Sequence, residues 1–199
     1  MTPLTKSIVI KLIMRNYTLL KIILAPIACV LIILSTQFGI EYYPLSFGLV
    51  IGFINWNNHK YGLLIGIILS LLASYISFFI AYFSVYLLFE VFKLFLGQDN
   101  GGVAALMVSS FILSPLLVFF LYKFVFNYSQ TKIAKYIIFF AVFFLIIISC
   151  LFYQLSNYYI IKLIKNIRLD HYTIWQIVMA LAIQLLIHQK VIWKKQKLE

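Results

Sequence analysis

At 199 residues the chain has room for one domain, and 64% hydrophobic against 11% charged residues, with a mean hydropathy of +1.05, exclude a water-soluble fold, since soluble domains carry about 45–50% apolar and about 25% charged residues. Sixteen Lys and Arg against five Asp and Glu, a net charge of +11, would suit nucleic acid in a soluble protein. Here most of the cations flank apolar runs and belong among lipid headgroups, which argues against nucleic acid as a partner.

An ionised side chain at the centre of a bilayer costs about 2.5–3.5 kcal/mol on insertion scales, so charge-free windows measure candidate spans. Six such windows reach 18 residues: 22–40, 42–59, 61–89, 100–122, 136–161 and 171–189. They predict an all-α, polytopic transmembrane helix bundle forming a single domain over 1–199, with spans at about 22–40, 43–58, 61–92, 103–123, 136–161 and 173–192.

Ahead of the first span, residues 1–20 mix Ile8, Leu12, Ile13 and Tyr17 with Lys6, Lys11 and Arg15, a pattern expected to lie along an anionic leaflet. No small-x-small cleavage site follows, and Cys29 leads into the apolar Val30 to Leu34, so the first span is expected to be retained. Cys29 and Cys150 both fall in apolar runs and read as packing residues.

The second window is short. Pro44 opens it, and its apolar part, Leu45 to Trp56, is 12 residues, about 18 Å of helix, so it either crosses or forms a re-entrant hairpin. Asn55, Asn57, Asn58 and His59 close it as a polar knot, a candidate gate or an interfacial loop.

The third span carries the strongest pattern. Gly66, Ser70, Ala73, Ser74, Ser77, Ala81 and Ser84 recur every three or four residues and share one helix face of about 100°. Such a face marks where another backbone approaches in lipid. Gly48 and Gly52, and Gly62 and Gly66, add two GxxxG spacings. Tyr75, Phe79, Tyr82, Tyr86 and Phe89 fall nearly opposite. From Tyr61 to Phe95 nothing interrupts 35 residues, so this helix must tilt, break or protrude. Glu90, an acid within an apolar run, is a candidate for proton or cation chemistry, although Lys93 three residues on offers it an ion pair.

Residues Gly97 to Gly102 read as the clearest loop. Pro26 and Pro115 are expected to bend the first and fourth spans. The sequons at Asn16 and Asn127 fall on the expected inner side. Residues 158–169 place Lys162, Lys165 and Arg168 among apolar neighbours, as at a snorkelling helix end. The last span bears Gln176, Ala180, Gln184 and His188 at four-residue spacing, a stripe expected to turn toward protein, with Gln184 and His188 as further polar candidates. Tyr and Trp residues, among them Tyr43, Tyr122, Tyr172 and Trp175, gather near window borders, as rings at headgroup level do.

Six spans put twelve of the sixteen Lys and Arg on one side: four before the first span, Lys60, three between Lys123 and Lys135, and four at the end. The positive-inside rule then predicts both termini in the cytoplasm, and without a crossing at the second window the count would be eight on each side. No HExxH, GxSxG, phosphate loop or paired intramembrane aspartates occur, so no metal or cofactor is expected and an enzyme is the less favoured reading. Three functions remain: a small-molecule or ion transport or permeation subunit working with partner chains, an accessory or immunity-type protein binding another protein in the bilayer, and a small membrane enzyme. The implied setting is a bacterial inner membrane, with lipid and a partner membrane protein or a second copy as neighbours.

Overall fold

The computed structural model describes the backbone of residues 3–35, 42–128, 131–154 and 171–193, with side chains over 16–35, 42–128, 131–151 and 172–193. Those residues are helical almost throughout, with no strand among them beyond an isolated bridge between His59 and Phe126. Four stretches are long and apolar enough to cross a membrane, Asn16–Ser35, Leu63–Val125, Lys132–Leu151 and Tyr172–Ile192, and Tyr43–Ile54 is a shorter apolar helix. This is the architecture of a membrane protein, in which lipid solvates the outward Leu64, Phe120, Phe139 and Phe140.

Helix α1 is Pro3–Ser35 and α2 is Tyr43–Ile54, which Pro44 opens in its first turn. The Leu63–Val108 helix, the π turn Ser109–Leu113 and the Ser114–Val125 helix follow without a gap, but Gly97 has φ 79° and ψ 174° and breaks the run. We label the two limbs α3 (63–96) and α4 (98–125). They are antiparallel: Ser84 Oγ meets Ser109 Oγ at 2.6 Å, and Ser74 Oγ meets Tyr122 Oη at 2.8 Å. Helix α5 is Lys132–Gln154 and α6 is His171–Ile192. Each helix packs on the next around a closed circuit, with α6 returning to α1.

Several expectations from sequence are corrected. The loop expected over 97–102 is a one-residue turn at Gly97, and Gly101 and Gly102 lie inside α4, where Gly101 permits a close approach to α3. A Cβ on Gly101 would lie 2.7 Å from the Lys93 backbone nitrogen. No break separates a segment 1–20 from the first span, since α1 is one helix from Pro3 and runs through Pro26 uninterrupted. Pro115 does distort its helix. Lacking an N–H, it cannot continue the i→i−4 ladder, and the π turn at Ser109–Leu113 lies directly before its segment. The second window contributes only the 12 residues of α2, followed by a turn. The expected span 136–161 starts earlier, at Lys132, and residues 155–161, with the basic stretch 158–169, lie outside the described residues.

Helix α2 runs antiparallel to α3 against its small-residue face. A Cβ on Gly48 would stand 2.9 Å from Leu71 Cα and 3.0 Å from Ser74 Oγ, so only glycine permits this approach. Phe47, Ile51, Phe111, Val118, Tyr122, Leu145, Met179 and Ile183 fill the centre, drawn from α2, α4, α5 and α6.

Candidate functional site

A cavity of about 270 Å³ lies among α2, α3, α4 and α6. Tyr43, Pro44 and Phe47 line it from α2, and Ser74, Phe78, Ala81, Tyr82, Val85 and Tyr86 from α3. Leu106, Ser110, Ser114 and Val118 come from α4, and Tyr172, Trp175 and Gln176 from α6. The cavity lies beside the first turn of α2, with Phe78, Tyr82 and Tyr86 of α3 on one wall and Tyr172 and Trp175 of α6 among its other lining residues.

Seven of the lining residues are aromatic. Phe47 and Trp175 have ring centroids 5.5 Å apart and tilted by 57°, and Tyr43 meets Tyr172 edge-on at 6.3 Å. Phe78 and Tyr82 stack at 6.3 Å, and the Tyr82 and Tyr86 hydroxyls lie 3.2 Å apart. Gln176, almost fully buried, donates its amide Nε2 to the Tyr43 carbonyl at 3.0 Å and so ties α6 to α2 beside the cavity. Gln176 Oε1 and Trp175 Nε1 find no protein partner among the described residues.

The floor is a polar contact between helices. Ser74 Oγ donates to the Ser70 carbonyl at 3.0 Å and meets Tyr122, whose hydroxyl also reaches the Ser70 carbonyl at 3.3 Å. Ser109 Oγ donates to the Ala81 carbonyl. Ser77 Oγ bonds the Ala73 carbonyl at 2.7 Å, and Ser84 Oγ the Ala81 carbonyl at 2.8 Å. Ser70, Ser74, Ser77 and Ala81 are buried at this junction, Gly66 is buried nearer the start of α3, and Ser84 is half-buried.

Of the polar residues singled out from sequence, Ser74 and Gln176 line the cavity, whereas Glu90, Asn55, Asn57, Asn58, His59, Gln184 and His188 are not among its described lining residues. Glu90 is exposed and pairs with Lys93 at 3.3 Å, whose ammonium sits 5.6 Å from the Phe89 ring centroid. The polar knot divides. Asn55 is fully buried with Nδ2 on the Ile51 carbonyl at 2.9 Å, while Asn57 is exposed. The Asn58 carbonyl accepts from the Asn127 backbone at 3.1 Å, and the Lys60 backbone donates to the Val125 carbonyl at 3.0 Å, so this turn docks on the end of α4. The His59 ring packs 4.9 Å from the Phe126 ring, and neither of its nitrogens meets a partner in good hydrogen-bond geometry among the described residues. Burial pushes the His59 imidazole below its ordinary value, and backbone groups of Gly62, Leu63 and Gly52 offset this only in part. In the same region burial pushes the Tyr128 phenol up to about 12.

Gln184 and His188 are buried along α6, with both amide atoms of Gln184 and Nε2 of His188 unpartnered among the described residues. Among the described residues no three His, Cys, Asp or Glu side chains gather as metal ligands would. Sequence reasoning had assigned Tyr43, Tyr172 and Trp175 to headgroup level and passed over Phe78, Ser110 and Ser114. Ser110 and Ser114, four apart before Pro115, were the one local signal available. Comparison with protein-family models, curated proteins and solved structures finds no match to this chain.

Proposed function

We propose that this chain is the small-molecule-binding subunit of a membrane transport or permeation system, crossing the bilayer six times with both termini cytoplasmic. The observation that carries this reading is the cavity. Four helices line it, its wall is mostly apolar with a few hydroxyls, and such pockets between helices of a bundle are where small ligands bind. In this reading a partner chain supplies the energy of a transport cycle, since helices α1 to α6 carry no phosphate-binding loop. Twelve of sixteen cations on one side orient the bundle with the Gly97 turn outward, in a cell membrane of the bacterial inner-membrane type.

The test is purification in mild detergent followed by mass spectrometry under non-denaturing conditions, on the native sequence and on Val85→Trp, which fills the cavity. The expected result is a small molecule that travels with the native protein and is lost from the variant. A co-purifying membrane protein, with no small molecule in either sample, would replace this reading with the accessory one. That alternative draws support from the apolar, exposed hairpin tip at Leu87, Leu94 and Phe95.

A further inference from the structure

The wall of the cavity specifies the chemistry of its occupant. Resting on the reading of the cavity as a binding site, we infer that its ligand is an uncharged, flat molecule of about two fused rings bearing one or two hydrogen-bonding groups.

Charge is decided by what the wall lacks. Among the described residues that line it, none is Asp, Glu, Lys, Arg or His. The nearest ionised groups along α3, Glu90 and Lys93, lie beyond Tyr86 and are engaged with each other at 3.3 Å. An ion entering this space would surrender its hydration and meet no opposite charge among the described lining residues. Contact with the aromatic faces returns only part of that loss to a cation and repels an anion.

Shape is decided by what the wall contains. Rings from α2, α3 and α6 meet one another at interplanar angles from 18° for Phe78 and Tyr82 to 76° for Tyr82 and Tyr86, so the wall combines faces and edges. A flat ring satisfies both kinds of surface by offset stacking and edge contact, which a puckered aliphatic skeleton does not. An apolar cavity of about 150 Å³ holds one benzene, and 270 Å³ here is somewhat less than twice that. The polar complement lies on α4, where Ser110 and Ser114 are one turn apart. Ser110 sits within the π turn Ser109–Leu113, a distortion that in helices often accompanies a functional site. A hydroxyl or ring nitrogen on one edge of the ligand would face those serines.

The experiment uses the full chain in nanodiscs, with equilibrium dialysis against 2-naphthol, its anionic analogue 2-naphthoate, its cationic analogue 2-naphthylmethylammonium and its saturated analogue decahydro-2-naphthol. Uptake by the lipid is removed by subtracting that of Val85→Trp and, should this variant not fold, of Val85→Phe, with folding followed by circular dichroism and gel filtration. Saturable binding of one 2-naphthol per chain is expected, at least tenfold weaker for either ion and severalfold weaker for the saturated ring. Ser110→Ala is expected to weaken 2-naphthol severalfold and to leave naphthalene unchanged. Equal or tighter binding of an ion, or of decahydro-2-naphthol, overturns the ligand class while leaving the cavity a binding site. No saturable difference between the native chain and the filled variants overturns both.

Discussion

Tyr122 illustrates how a residue's environment departs from its address in the chain. It stands next to Lys123 at the border of an apolar run, where a ring is expected among headgroups. Instead it is fully buried, 5.6 Å from the Phe126 ring and bonded to Ser74. The partner it needs is on another helix, 48 residues away. Gly66 makes a similar case, since a Cβ there would stand 1.9 Å from His59 Nδ1, so any side chain must displace the imidazole. Gly66→Leu and Ser77→Leu are therefore expected to cost about 1–3 kcal/mol each through overpacking, whereas Phe79→Leu, at a side chain 48% exposed, is expected to cost much less. Thermal denaturation in detergent orders the three, and equal stability would remove the assigned faces.

His59 adds a pH dependence of definite sign. Burial lowers its folded pKa below the ordinary value of 6.5, so the unfolded chain binds the proton first on acidification. The stability contributed by the neutral ring is complete above pH 6.5 and is lost as the pH falls toward the folded value. The charged groups nearest in this turn region are Lys60 and Lys123, with Lys60 Nζ on the Lys123 carbonyl at 2.6 Å. Melting curves from pH 7.5 to 5 are expected to fall more steeply for the native protein than for His59→Gln. Parallel curves would mean that the ring titrates as in water.

At the scale of elements, the α3–α4 hairpin organises the bundle. Its turn needs one residue with φ 79° and ψ 174°, a region that is essentially glycine's alone and costs other residues about 1–3 kcal/mol. Gly97→Ala is expected to destabilise by that amount. Gly102 lies five residues on within a helix, where a Cβ would meet only the Phe89 ring at 3.8 Å, so Gly102→Ala is expected to be neutral or to stabilise by about 0.5–1 kcal/mol through helix propensity. Chemical denaturation in mixed micelles separates the two. The same run of glycines read as a flexible loop in the sequence because local rules count glycines, whereas tertiary packing decides whether they turn the chain or admit a neighbouring helix.

At the scale of the whole molecule, the ends of the bundle differ. One gathers the 55–62 turn, the end of α4 and the C-terminal half of α6. The other gathers Tyr43, Tyr172 and the cavity, with the hairpin running on about 16 Å from Tyr86 to Gly97 at 1.5 Å per residue. With the basic end inward, a cysteine placed at Asp99 is expected to react with an impermeant maleimide in intact cells, and one at Thr131 only after permeabilisation. Labelling at Thr131 but not at Asp99 would reverse the bundle.

What the sequence determined by itself was the solvent and the kind of element. Partition into lipid is nearly additive over residues, so composition and charge-free windows placed apolar helices along most of the chain. Helical periodicity is equally local, and spacing alone set Ser70, Ser74 and Ser77 on one face of α3. The tertiary structure decided everything that joins distant residues. It turned the chain at Gly97 rather than through a loop, buried Tyr122 on Ser74 and seated His59 on Gly66. The cavity belongs to this second group, because its wall runs from Tyr43 to Gln176 across four helices. Tyr43, Tyr172 and Trp175, read alone, match rings at the membrane surface, and only the packing of α2 and α6 against α3 and α4 gathers them with Phe47, Phe78 and Tyr82 around a common space.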